Sequence, residues 1–147
     1  LGFVDADAEI EAAAGMRVPD IFEAFGEKAF RDGEQKVVER LLGSGPQVLA
    51  TGGGAFLNEN TRAAIRQNGI SIWLKAEIEV LMDRVKRKKN RPLLLNANPE
   101  ETMRRLLNER AAVYALADII IESNDNTHDK VVAAIADALA TYLKVDR

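Results

Sequence analysis

Cysteine is absent from the 147 residues, which excludes disulfides and cysteine-ligated metals. The single histidine, His128, excludes a histidine-rich metal site. No apolar run approaches the ~20 residues that cross a bilayer. No basic-then-apolar leader is visible, so the cytoplasm is the expected compartment and no membrane partner is expected. Charge of one sign is not in excess either: 20 Lys plus Arg stand against 23 Asp plus Glu, a net charge of −3. That argues against a general nucleic-acid partner and leaves room for a local basic pocket. There is no internal repeat and no low-complexity segment. What remains is 47% hydrophobic and 29% charged, the balance of a globular chain long enough for one domain with a core.

A starting methionine is also lacking. The chain opens at Leu1-Gly2-Phe3, and these residues already read as a strand, as if the sequence began in the middle of something.

The most pointed stretch is Val48-Leu49-Ala50-Thr51-Gly52-Gly53-Gly54-Ala55-Phe56. An apolar run breaks into consecutive glycines, and the polar Asn58-Glu59-Asn60-Thr61-Arg62 then opens a helix. Consecutive glycines sacrifice backbone entropy, so something should require the bare backbone. Either a polar ligand approaches the peptide N–H groups, or the turn packs tightly against a neighbouring element.

Around this stretch the chain alternates. Strands are expected at Leu1–Val4, Val48–Ala50, Ile70–Leu74 and Asp118–Glu122, the third apolar enough to be buried on both faces. A helix over Ala8–Ala14 stops at Gly15, suited to a C′ position. Val18-Pro19 begins a short helix, and Glu27–Leu42 continues with Phe30, Val37, Val38, Leu41 and Leu42 as its apolar stripe. Gly43-Ser44-Gly45-Pro46 breaks it. Further helices are expected over Thr61–Gln67, Glu77–Lys88, Pro99–Ala117 and, capped by Thr127, His128–Leu143. Strands alternating with helices imply an α/β fold with a mostly parallel sheet.

Several polar residues could carry chemistry. Asp5 and Asp7 follow the carboxyl end of a strand, the edge where open α/β sheets bind ligands. Acids there can hold a metal ion or accept a hydrogen bond from a substrate hydroxyl; they can equally cap a helix. Arg31 offers a planar fork to a carboxylate or phosphate, or a surface ion pair with Glu34 three residues on. Arg84, Lys86, Arg87, Lys88, Lys89 and Arg91 form either a solvated helix end or a phosphate-closing lid. Arg110 is a lone arginine on a helix, His128 reads as a surface residue, and Trp73 as core.

The order Asp5-Ala6-Asp7, Phe30-Arg31-Asp32-Gly33-Glu34, Gly52-Gly53-Gly54-Ala55, Arg91-Pro92-Leu93-Leu94, then Glu109-Arg110 with Tyr114 resembles the shikimate kinase family across essentially the whole chain. The resemblance implies a three-layer α/β/α P-loop kinase fold of the nucleoside-monophosphate-kinase type, with a parallel sheet of order 2-3-1-4-5. It implies transfer of the γ-phosphoryl group of ATP to the 3-hydroxyl of shikimate, with Mg²⁺, in aromatic amino acid biosynthesis. On that footing Asp7 would be the base at the accepting hydroxyl, and Asp5 would help hold Mg²⁺ through water. Arg31 and Arg110 would pair with the shikimate carboxylate, and the Gly52, Gly53, Gly54 turn would contact the ring. Arg91 would close over the transferring phosphate. Arg84 and the loop with Asn124, Asn126 and Thr127 would flank the adenine. Residues 8–42 would form the substrate-binding helical region and residues 86–98 the lid of a single domain spanning 1–147. The family is usually monomeric.

One departure stands out. No G-x-x-x-x-G-K-[ST] loop is present; in the family it lies upstream of the strand that is Leu1–Val4 here. The first strand, this loop and the first helix are absent, and the first strand is central in the family's sheet. The expectation is therefore that the biological protein extends upstream. The chain alone should leave strand edges and apolar faces open, with no useful kinase activity. Gly33 departs from helix propensity by roughly 1 kcal/mol without an explanation. A gluconate-type sugar-acid kinase and a non-catalytic shikimate-binding module are the alternatives.

Overall fold

A computed structural model describes residues 1–77, 79–81, 83, 99–124 and 127–145. It divides into two compact units, Leu1–Gly69 and Ile70–Arg147.

In the first unit, β1 (Gly2–Asp5) leads into α1 (Ala6–Ala14), and α2 spans Val18–Leu42. β2 (Gln47–Ala50) follows, then a 3-10 turn at Ala55–Leu57 and α3 (Glu59–Asn68). β1 and β2 pair in parallel, Phe3 opposite Val48 and Asp5 opposite Ala50. α1 starts two residues earlier than expected because Asp5 caps it: its Oδ1 accepts from the Asp7 N–H at 2.9 Å. Gly15 ends the helix at φ 67°, ψ 23°, the left-handed cap for which glycine is suited. Glu11 Oε2 accepts from the Val18 N–H at 2.8 Å, so the last turn of α1 caps the start of α2.

The expected pair of helices over Val18–Leu42 is one run with a break at Gly26, where φ is 86° and ψ 171°. That conformation is essentially glycine-only. Both arms contribute to the first of two buried clusters, and only the second arm to the other. Ile21 and Phe30 meet Ile10 in one buried cluster, with Met16, Val18, Phe22 and Val37 against it. Val38 and Leu41 meet Ala6 in a second, joined by Val4, Leu42 and Leu49. Each fully buried Val, Leu or Phe contributes about 1.5–3 kcal/mol, so these clusters fix α1 and α2 against β1 and β2. α3 is capped by Asn58, whose Oδ1 accepts from the Asn60 and Thr61 N–H groups at 2.8 and 3.2 Å. Asn58 Nδ2 also donates to Gln35 Oε1 at 3.0 Å, tying the entry of α3 to α2.

In the second unit, β3 (Ile72–Lys75) pairs in parallel with β4 (Ile119–Glu122). Residues 79–81 and 83 are helical; the rest of the helix expected over Glu77–Lys88 lies outside the described residues. α4 spans Pro99–Tyr114 and α5 spans His128–Val145. Lys130 N donates to Thr127 Oγ1 at 3.3 Å, the expected cap. His128 is exposed as expected.

Two readings of β3 need correction. Its apolar run is not buried on both faces: Leu74 is 48% exposed. Double-faced burial needs a helix layer on each side, and α5 packs chiefly on β4, burying Ile119 and Ile121 but leaving Ile120 47% exposed. Trp73 is half-buried rather than core, its ring 5.6 Å from that of Tyr114, with Lys75 Nζ 5.5 Å from its centroid.

All four expected strands form, in two separate parallel pairs. These pairs are the neighbours that the order 2-3-1-4-5 retains when its central member is left out. Open apolar faces are expected on the same grounds, and Phe3 and Val48, register partners in β1 and β2, are 69% and 49% exposed.

Candidate acceptor site

The first unit gathers Asp7, the glycine turn and Arg31. Asp7 lies in the first turn of α1 because the Asp5 cap starts the helix at Ala6. The turn follows β2, and parallel pairing of β1 with β2 brings both carboxyl ends to one edge.

The glycines answer the question their sequence poses. None of Gly52, Gly53 and Gly54 has a positive φ, so conformational freedom is not what they supply. A Cβ on Gly52 would stand 3.0 Å from Asp7 Oδ1. A Cβ on Gly54 would stand 2.2 Å from Arg31 Nη1 and 2.4 Å from both Cζ and Nη2. The bare backbone is packed against the chain's own functional side chains. Of the two readings offered by the sequence, the structure shows the tightly packed turn, and its packing partners are the acid and the arginine expected to meet the acceptor.

Arg31 corrects its bland reading as a surface ion pair. Nη1 donates to Glu34 Oε1 at 2.9 Å, the pair expected from their spacing, but Glu34 is only 3% exposed. Helical spacing fixes that the two side chains meet; it does not fix which way they face. The Arg31 Cζ also lies 5.2 Å from the Phe30 ring centroid and 5.9 Å from that of Phe22. The guanidinium thus lies among two acids, Glu34 and Glu27 (Oε1 3.7 Å from Nε), two aromatic rings and a glycine turn. Phe22 and Phe30 were legible in the sequence only as apolar helix positions; nothing in their spacing signals an arginine platform.

Arg110 lies in the second unit, on α4. Its Nε is buried without a hydrogen-bond partner among the described residues. A buried unpaired donor carries a desolvation cost of about 1–3 kcal/mol or more, which an anionic ligand would relieve. Asn124 Oδ1 accepts from the Glu77 N–H at 2.6 Å, joining the loop after β4 to the chain after β3. Thr127 caps α5. Arg84, Arg91 and Asn126 lie outside the described residues, as do all of residues 86–98 of the expected lid.

Among the described residues no helix is long and apolar enough to cross a membrane. The family model for shikimate kinase matches residues 1–140. A shikimate kinase of Bradyrhizobium diazoefficiens is 57% identical over 143 residues, covering 97% of this chain and 69% of the relative. One of Brucella canis is 50% identical over 147 residues, covering all of this chain and 74% of the relative. Among solved structures, shikimate kinase from Acinetobacter baumannii in complex with shikimate is 38% identical with a TM-score of 0.89, over 95% of this chain and 79% of that one. That likeness carries the α/β P-loop kinase fold class, and neither the gluconate-type alternative nor the non-catalytic module gains support. On sequence, site geometry and fold together, the chain belongs to the shikimate kinase family.

Proposed function

We propose that this chain carries the acceptor site for transfer of the γ-phosphoryl group of ATP to the 3-hydroxyl of shikimate, giving shikimate 3-phosphate. The observation that supports this reading best is the convergence of Asp7 and Arg31 on the Gly52–Gly54 turn.

Shikimate is a small polyhydroxylated anion. Its carboxylate suits planar arginine forks: Arg31 in the first unit is one, and the family resemblance implies Arg110, whose Nε is buried with no partner among the described residues, as the other. Its hydroxyls suit Asp7 and the backbone of the glycine turn. In the reaction the 3-hydroxyl oxygen attacks the γ-phosphorus and Asp7 takes its proton. The new O–P bond forms as the bond from the γ-phosphorus to the β,γ-bridging oxygen breaks, and ADP leaves. Phosphoryl transfer is chiefly positioning and charge stabilisation. The family resemblance implies that Arg91 would cover the transferring phosphate and exclude water as a competing acceptor, and that Arg84, Asn124, Asn126 and Thr127 would flank the adenine.

Mg²⁺ supplies charge neutralisation on the phosphate oxygens when bound. Among the described residues no group of three or more His, Cys, Asp or Glu could hold a metal. Mg²⁺ characteristically keeps several waters and takes one or two carboxylates together with substrate phosphates. Asp5 fits that habit: it is exposed at the end of β1, with Oδ1 receiving the Asp7 N–H. We assign residues 1–147 to a single kinase domain and read the protein as a cytoplasmic monomer; sedimentation of the intact protein would check the monomer.

A coupled assay for ADP release with shikimate and with gluconate, in the intact protein that carries this chain, tests the assignment. Turnover confined to shikimate is expected. Preference for gluconate, or shikimate binding in calorimetry without turnover, would overturn it.

A further inference from the structure

We propose that Gly54 is a positioning residue: its missing Cβ is the seat that holds the Arg31 guanidinium in the acceptor site. The inference rests on the reading of Arg31 as a shikimate-carboxylate ligand, and it assigns Gly54 a role through a side chain of the protein rather than through the ring of the substrate.

The geometry is specific. A Cβ on Gly54 would lie 2.2–2.4 Å from three guanidinium atoms of Arg31, where ordinary non-bonded separations are about 3.5 Å or more. The guanidinium would have to move by more than about 1 Å. The backbone would not resist the substitution, because Gly54 has φ −85° and ψ −15°, a region open to any residue. The strain therefore falls on the flexible end of Arg31. Moving that end disturbs the contacts that hold it, including Glu27 Oε1 at 3.7 Å from Nε. Glu34, buried, holds Nη1 at 2.9 Å, and the Phe22 and Phe30 rings stand 5.9 and 5.2 Å away. A displacement of this size at a substrate-orienting group can cost on the order of 100-fold. Alanine at position 54 should thus leave the fold nearly intact and disable the arginine.

The test is a double-mutant cycle in the intact protein, since residues that act through one another are non-additive. Gly54→Ala is expected to raise the KM and calorimetric Kd for shikimate roughly 10- to 100-fold, with the KM for ATP within about twofold. In an Arg31→Ala background, Gly54→Ala is expected to add less than about twofold. Unchanged shikimate affinity in Gly54→Ala, or an equal loss in both backgrounds, overturns the proposal; the latter would make Gly54 a direct contact. If Gly54→Ala alone does not fold, recovery of folding in the Arg31→Ala double variant supports the seat, and failure of both overturns it. The Arg31 Nε–H resonance, compared between wild type and Gly54→Ala without ligand, tests the seat by itself: a clear shift is expected, and an unmoved signal sinks it. Absence of shikimate binding in the wild type would instead refute the functional reading.

Discussion

Replacing Arg31 with lysine separates charge from geometry at the acceptor site. The positive charge beside Glu34 is kept, so the buried carboxylate, 3% exposed, is not stranded. What is lost is the planar fork and its face against Phe22 and Phe30. One charge-assisted hydrogen bond to the substrate carboxylate is worth about 1.5–3 kcal/mol, which corresponds to roughly 10- to 150-fold in the KM for shikimate. The lost stacking contributes about 0.5–1 kcal/mol per ring at exposed sites, and Arg31 retains 22% side-chain exposure, so this part falls mainly on stability. Coupled ADP-release kinetics at varied shikimate, in the intact protein, should therefore show a large rise in KM with a smaller change in kcat, and a melting temperature lowered by only a few degrees. Arg31→Ala should in addition lower stability more than Arg31→Lys, because it removes the cation whose Nη1 donates to buried Glu34 Oε1 at 2.9 Å. A KM for Arg31→Lys within about twofold of wild type would refute the assignment of Arg31 as a carboxylate fork.

Other outcomes follow from single features. Asp7→Asn should lower kcat by about 100- to 10,000-fold, the usual contribution of a positioned base, with shikimate still bound in calorimetry; kcat within tenfold of wild type would exclude Asp7 as the base. Gly26→Ala forces a Cβ into φ 86°, ψ 171° and should cost about 1–3 kcal/mol, read by urea unfolding. No loss would mean that the break in α2 relaxes freely. Asn58→Ala removes the cap of α3 and the bond to Gln35, and should cost about 0.5–2 kcal/mol in the same measurement, with Asn58→Ser recovering the cap but not the tie to Gln35.

Local chemistry explains what was readable along the chain. Gly15 at a helix end, Pro19 in the first turn of α2 and Thr127 before α5 act over a few residues, and so leave a signature in a few residues. Boundaries were less legible: α1 and α3 both begin two residues early because Asp5 and Asn58, rather than later positions, accept the first free N–H groups. The break at Gly26 falls between the short helix from Val18 and the helix from Glu27 that the sequence suggests, whereas Gly33, which lies in helix with no other part of the chain close to where its Cβ would stand, has no structural explanation.

By itself the sequence determined the alternating α/β order, the parallel strands and, through the ordered motifs around Asp7, Arg31, the glycines and Arg110, the family. Only the tertiary structure decided what packs against the glycines at 52 and 54. Asp7 and Arg31 reach that turn from helices far away in the chain, and such contacts depend on strand pairing and core packing rather than local propensity. The same packing turned the spacing of Arg31 and Glu34 from a surface pair into a part-buried one, and it set Phe22 and Phe30 beside the arginine as well as in a core.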